Sequence, residues 1–191
     1  MVLALLRGGL PVGYEIARKL QASLDVFFVR KIGVPQYPEL AMGALASGGV
    51  LMLDANMVKE FGLSQREVEE AIARSRKELE RQERVFRPGR PQIELAGKVA
   101  ILTDDGIATG YTMLAAIEAA KRLGAAKVLV ATGVAPPSTI EQIRRQVNEA
   151  VCLLTPGDFR AVGIFYEDFS QVTDEEVKRL LNLASSCQTP E

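Results

Sequence analysis

The sequence predicts an α/β fold: a mainly parallel five-stranded sheet flanked by helices, with a hairpin and a long helix inserted as a flap. Short apolar runs alternate with helix-periodic stretches along most of the 191 residues. Two of these runs, ending at Leu6 and Leu102, feed glycine-bearing turns that open helices. Turns of that kind at the carboxyl ends of parallel strands open onto a common crevice, where α/β sheets bind ligands. Between them, a Ser47-Gly48-Gly49 turn and a charged helical stretch interrupt the alternation, which sets residues 42–92 apart as an insertion in one domain covering 1–191.

Val2 to Leu6 is an apolar strand running into Arg7-Gly8-Gly9-Leu10-Pro11, and Val12, Ile16 and Leu20 mark the inner face of the helix that follows. On residues alone the turn reads equally as a plain strand-to-helix connection or an anion-binding loop. Asp25 to Arg30 is the next strand. Gly33, Pro35 and Pro38 keep the segment from Lys31 to about Ala41 out of regular structure, as a loop on which Lys31 is either solvated or carried into a site. Ala44 to Leu53 reads as a hairpin outside the main sheet. Ser64-Gln-Arg-Glu67 is a capping box opening a helix to about Phe86, with Val68, Ile72, Ser75, Leu79 and Phe86 on one stripe. Its Arg/Glu pairs read as a solvated face with no chemistry.

Pro88, Gly89 and Pro91 end that helix, and Val99 to Leu102 is the central strand. A helix beginning near Met113 and closed by Gly124 leads to a strand over Lys127 to Ala131. Ser138 to Glu141 forms a second capping box, opening a helix to about Asn148, and Val151 to Leu154 is the fifth strand. The segment 155–191 holds an aromatic-rich stretch followed by a helix capped near Thr173.

Composition removes several function classes. A net charge of -1 leaves no basic footprint for nucleic acid or an anionic membrane. No apolar run reaches the roughly 18 residues of a membrane span, and Met1 to Leu6 is too short for a signal peptide, so a cytoplasmic location is expected. Cys152 and Cys187 read as a buried small hydrophobe and a tail thiol. The chain has no histidine, which excludes Ser-His and Cys-His nucleophiles and His-ligated zinc. Catalysis must therefore rest on carboxylates, Lys, Arg, Tyr and backbone dipoles.

The chemistry concentrates in Thr103-Asp-Asp-Gly-Ile-Ala-Thr-Gly-Tyr-Thr112. Gly106 and Gly110 let the loop's N–H groups converge at the positive end of the next helix, a place suited to phosphate. Asp104 and Asp105 repel phosphate, so what lies between acids and loop brings hydroxyls, a divalent cation, or both. A sugar phosphate fits that description.

This stretch resembles the signature of the type I phosphoribosyltransferases, an apolar strand, two acids and a small Gly/Thr loop, matched end to end from Thr103 to Thr112. The resemblance implies that ribose 5-phosphate passes from phosphoribosyl pyrophosphate to a nitrogenous base with release of pyrophosphate. Asp104 and Asp105 would take the ribose hydroxyls and, through water, Mg2+. Gly106, Ile107, Ala108, Thr109, Gly110, Tyr111 and Thr112 would hold the 5-phosphate. Arg7, with Gly8 and Gly9, and Lys31, with Arg30 as its rival, would stabilise the leaving group. Phe159, Phe165, Tyr166 and Asp168 are the candidates for the base, against the alternative that the aromatics only pack the tail onto the sheet. A homodimer is expected from the same resemblance.

Departures from the pattern narrow the reading. Leu6 stands where relatives carry proline, and they have a helix upstream, so a missing upstream part is expected. Ala108 replaces the Asp of the 6-oxopurine enzymes, which makes the loop closer to the adenine, uracil or orotate types and leaves the base open. A catalytically silent regulatory module of the same fold is the main alternative. A Rossmann dinucleotide binder lacks its GxGxxG and its acid after the second strand, and a metal-dependent phosphatase lacks further ligands.

Overall fold

The computed structural model describes residues 1–186, so Cys187 lies outside the described residues. The elements in chain order are β1 (Val2–Leu5), α1 (Gly9–Leu20), β2 (Leu24–Phe27), β3 (Val29–Val34), β4 (Tyr37–Ala46), β5 (Val50–Leu53), α2 (Ala55–Glu60) and α3 (Gln65–Phe86). They continue with β6 (Val99–Gly106), α4 (Tyr111–Arg122), β7 (Lys127–Val134), α5 (Pro137–Arg144), β8 (Glu149–Leu154) and α6 (Asp174–Ser186). Five strands form a parallel sheet in the order β2-β1-β6-β7-β8. A second sheet, β3-β4-β5, is antiparallel.

The parallel strands read as unbroken apolar runs because both faces are covered. In β1, Val2 and Ala4 join one core with α1, α3 and α6, while Leu3 and Leu5 join another with α4 and α5. Leu10, Gly13 and Ala17 form the buried face of α1, in place of the expected Val12, Ile16 and Leu20; Leu20 is 57% exposed. The reason is proximity: a Cβ at Gly13 would sit 2.7 Å from Thr103 Oγ1, so only small residues fit against the sheet here.

The expected strand Asp25 to Arg30 divides at Phe28: β2 ends in the main sheet and β3 starts the other one. The expected loop from Lys31 to Ala41 is instead the β3-β4 hairpin, irregular between Ile32 and Val34. Gly33 absorbs that irregularity, lying so close to Pro38 that a Cβ would meet its backbone. The hairpin expected over Ala44 to Leu53 is present as β4-β5, so the insertion begins at Val29 and carries a third strand.

Both halves of the Ser64/Glu67 capping box form, with Glu67 N donating to Ser64 Oγ and Ser64 N donating to Glu67 Oε2. The second expected box does not: α5 starts on Pro136-Pro137 with no side-chain cap, because proline supplies the fixed φ of a first turn. Asp25, buried in β2, accepts from Arg87 Nε at 3.0 Å and Nη2 at 2.8 Å, with Arg90 at 3.5 Å. That cluster fastens the far end of α3 to the edge of the main sheet. Among the described residues no helix is long and apolar enough to cross a membrane.

Candidate active site

β6 runs through both acids, so Asp104 and Asp105 stand at its carboxyl end beside the turn that follows β1. That turn is pressed onto them. A Cβ at Gly8 would overlap the Asp105 carboxylate, and one at Gly9 would overlap the Thr103 carbonyl oxygen. Thr103 Oγ1 donates to Gly9 O at 3.1 Å, tying turn to strand. The acids are held from below: Asp105 N donates to Asp104 Oδ1 at 3.0 Å, and Gly106 N donates to Asp105 Oδ1 at 2.7 Å. Burial, with the charge of Asp105 behind it, pushes the Asp104 carboxyl well above the ordinary aspartate range. A pair in that state attracts hydroxyl donors or a cation.

The loop Ile107 to Gly110 is anchored at both ends. Ile107 N donates to Val134 O at 2.9 Å, and Ala108 O accepts from Thr139 Oγ1 at 2.8 Å. Gly110 has φ +80°, left-handed backbone that favours glycine, and caps α4. Ala108, Thr109, Tyr111 and Thr112 are exposed around a helix start whose first amides have no intrahelical acceptor.

Arg7 lies between two cavities. One, of about 290 Å³, is lined by Arg7, Arg30, Arg81, Gln82, Thr112 and Asp174 over an apolar floor of β1, β2 and α3 residues. The other, of about 530 Å³, holds Arg7, Gly8, Asp105, Tyr166, Phe169 and Val172, with Asp168 and Glu176 at its polar side. Arg7 Nη2 contacts Asp174 Oδ1 at 2.7 Å across the first turn of α6. The peptide bond between Leu6 and Arg7 is cis.

The C-terminal stretch covers the acids from above. Tyr166 donates its hydroxyl to the Asp105 carbonyl at 2.6 Å, directly over Gly133, where a Cβ would collide with the phenol. Val162 packs onto Gly106 in the same way. Burial first, then the charges of Asp105 and Asp104, raise the Tyr166 phenol above its ordinary value, so it stays a donor at neutral pH.

The expected residues therefore gather unevenly. Arg7, Gly8, Gly9, Asp104 and Asp105 come together, with Asp104 lining neither cavity; of the loop, Thr112 shares the arginine cavity with Arg7, and Gly106 to Tyr111 line neither of the two. Alternation along β3 sends Arg30 into the arginine cavity and Lys31 to a separate one, beside Met52, Asp54, Tyr111 and Thr112, the last of which lines both. Tyr166 and Asp168 line the larger cavity, whereas Phe159 and Phe165 stack on each other, centroids 5.9 Å apart, and do not line it. Asp168 accepts from Ser170 N, shaping the turn. Cys152 is half-buried rather than buried.

Phe169, Val172, Asp174 and Arg81 escape sequence reasoning. Phe169 carried a usable signal, since it follows Tyr166 by three residues in an aromatic-rich stretch. Arg81 carried none, being one arginine among several on a charged helix.

A phosphoribosyl transferase domain family matches residues 1–163. Two Mycobacterium tuberculosis proteins, from strains H37Rv and CDC 1551, are 43% identical over 184 residues and are named, provisionally, phosphoribosyl transferases. The match takes in 96% of this chain, which spans 42% of the length of those relatives. The crystal structure of TT1426 from Thermus thermophilus superposes with a TM-score of 0.83 at 41% identity, covering 94% of this chain and 85% of that one.

Proposed function

Because the chain belongs to the phosphoribosyl transferase domain family, we propose that it transfers ribose 5-phosphate from phosphoribosyl pyrophosphate to a nitrogenous base, releasing pyrophosphate. The observation that carries this reading is the meeting of two cavities at Arg7, the larger of them lined also by Gly8 and by Asp105, onto whose carboxylate Gly8 is packed. A sugar held there has a cationic chamber on one side for its leaving group and an aromatic-walled one on the other for its acceptor.

In this reading Asp105 accepts from a ribose hydroxyl in a charge-assisted bond contributing about 1.5–3 kcal/mol, and Asp104, whose carboxyl holds its proton more tightly, pairs with the neighbouring hydroxyl. The amides and hydroxyls from Gly106 to Thr112 hold the 5-phosphate at the start of α4. Arg7 and Arg30 face the pyrophosphate; Arg30 takes precedence over Lys31 on the support of its cavity. A base nitrogen brings its lone pair to C1 as the C1–oxygen bond breaks, and that bonding pair leaves on pyrophosphate, whose growing charge the guanidiniums stabilise. Tyr166 fixes the backbone of the acid pair, and Phe169 and Val172 exclude water beside the sugar.

Two adjacent carboxyl groups, with the proton affinity of Asp104 raised, suit a magnesium ion shared with substrate oxygens and water; among the described residues no cluster of three or more acidic, His or Cys groups suits a protein cage. Bound there, Mg2+ would supply charge neutralisation to the pyrophosphate and hydroxyls.

The test is pyrophosphate release from phosphoribosyl pyrophosphate and Mg2+ across a panel of purine and pyrimidine bases. Turnover on at least one base is expected, abolished by Asp105→Asn. Tight binding without turnover on any base would overturn the transferase reading and leave a regulatory binding module.

A further inference from the structure

The long helix of the insertion, α3, reads from its sequence as a solvated scaffold, yet one of its arginines faces the arginine cavity rather than bulk solvent alone. Arg7, Arg30 and Arg81 line that cavity from three separate segments: the turn after β1, strand β3 and helix α3. A single lining carboxylate, Asp174, opposes them, and it is already engaged with Arg7. Three guanidiniums from three segments around about 290 Å³ of space match a polyanion with several oxygens to share.

We propose that Arg81 is a direct ligand of the pyrophosphate end of the donor, so that the insertion helix forms the third wall of the leaving-group site. This rests on the transferase reading above and assigns chemistry to an element outside the matched motif. Arg81 is bidentate on Glu78, Nη2 to Oε1 at 2.7 Å and Nε to Oε2 at 2.9 Å, three residues earlier on the same helix. Glu78 also lies 3.9 Å from Arg30. Arg81 is 60% exposed in this pair, and an exposed pair of this kind is weak enough to be exchanged for a phosphate without disturbing the fold. Glu78, which does not itself line the cavity, is thus the resident partner that an anion with more oxygens would replace at Arg81. A pyrophosphate offers the same two-pronged acceptor geometry with greater charge, and its oxygens reach all three segments at once.

Titration of the full chain with pyrophosphate and with phosphoribosyl pyrophosphate, each with Mg2+ and followed by calorimetry, tests the assignment. Arg81→Gln is expected to weaken both by about ten-fold, Arg81→Lys to recover only part of that because it lacks the planar fork, and Arg84→Gln, one turn on, to change neither. Glu78→Gln separates a ligand from a prop. If Arg81 binds the anion, removing its resident partner leaves affinity equal or tighter; if the Arg81–Glu78 pair only stiffens α3, Glu78→Gln weakens binding as Arg81→Gln does, and the proposal falls. Wild-type affinity in Arg81→Gln, with binding lost in Arg7→Gln, overturns the role of Arg81 while leaving the transferase reading intact. No binding of either ligand by the wild type overturns both.

Discussion

Adjacent glycines at 8 and 9 should respond to alanine in opposite ways. Gly8 has φ −63° and ψ −30°, ordinary helical backbone that alanine adopts freely, so the substitution introduces no conformational strain. What the new methyl meets is the Asp105 carboxylate, with Oδ1 at 3.0 Å and the rest closer still, a group held in place by the Gly106 N–H. A partly exposed carboxylate can turn toward water at the loss of that bond, about 0.5–1.5 kcal/mol, which the smaller entropy of the unfolded chain largely offsets, so Gly8→Ala should change stability by about 1 kcal/mol or less. The function is what suffers, since the displaced carboxylate is the proposed ribose ligand. Losing one charge-assisted bond of about 1.5–3 kcal/mol weakens phosphoribosyl pyrophosphate binding about 10- to 100-fold. At Gly9 the methyl meets main chain, the Thr103 carbonyl and Asp104 Cα at 2.9 Å, and neither can step aside without moving β6. Gly9→Ala should therefore cost about 1–3 kcal/mol, a fall in Tm of about 2–10 °C. Calorimetric titration and thermal melts of the two variants read both effects. Wild-type affinity in Gly8→Ala, or a wild-type melt in Gly9→Ala, would refute the packing argument.

Three further outcomes follow from the same geometry. Arg87→Met leaves Asp25 buried beside a partly engaged Arg90 and should cost about 3–5 kcal/mol, checked by urea unfolding; a loss under about 1 kcal/mol would show that the cluster is not an anchor. Asp104→Asn should stabilise the metal-free protein, because a carboxyl whose folded pKa is raised destabilises the native state increasingly as pH climbs from its unfolded value through the folded one. The gain in Tm should thus be near zero at about pH 4 and grow as pH rises, and a gain that shrinks with rising pH contradicts the burial of that charge. Tyr166→Phe keeps the ring and removes one hydrogen bond to Asp105 O, so a stability loss of about 0.5–1.5 kcal/mol should accompany faster amide exchange in residues 156–172; unchanged exchange there would deny the tether.

The main sheet is legible in the sequence because strands buried on both faces leave unbroken apolar runs, and Val2 to Leu5 or Val99 to Leu102 can be little else. The same is true of the acid pair and loop, where every residue is contiguous. Legibility fails where tertiary contact overrides local preference. Gly33 and Pro38 suggest a loop between Lys31 and Ala41, yet hairpin pairing with Ala41 to Ala46 holds the segment extended, and strand alternation then parts Lys31 from Arg30. The inner face of α1 is hidden because closeness to Thr103 favours Gly13 and Ala17 over larger apolar side chains. Ser138 and Glu141 have the spacing of a capping box, but the two prolines before them begin the helix first. The arginine cavity is least readable of all, since its three cations are contributed by residues 7, 30 and 81 and converge only in the folded chain.

Tyr166 fastens the stretch around it to Asp105 through a main-chain carbonyl, not through the carboxylate that would grip the sugar. The proposed acceptor wall and donor site are thereby joined at a point indifferent to side-chain identity on β6. Phe169, whose ring lies 5.4 Å from that of Tyr166, and Val172, packed on the core, belong to this fastening, whereas Asp168, Ser170 and Gln171 line the cavity outside it. If the proposed transfer holds, a change of acceptor ring is sought first at those three positions, which leave the tether to β6 intact.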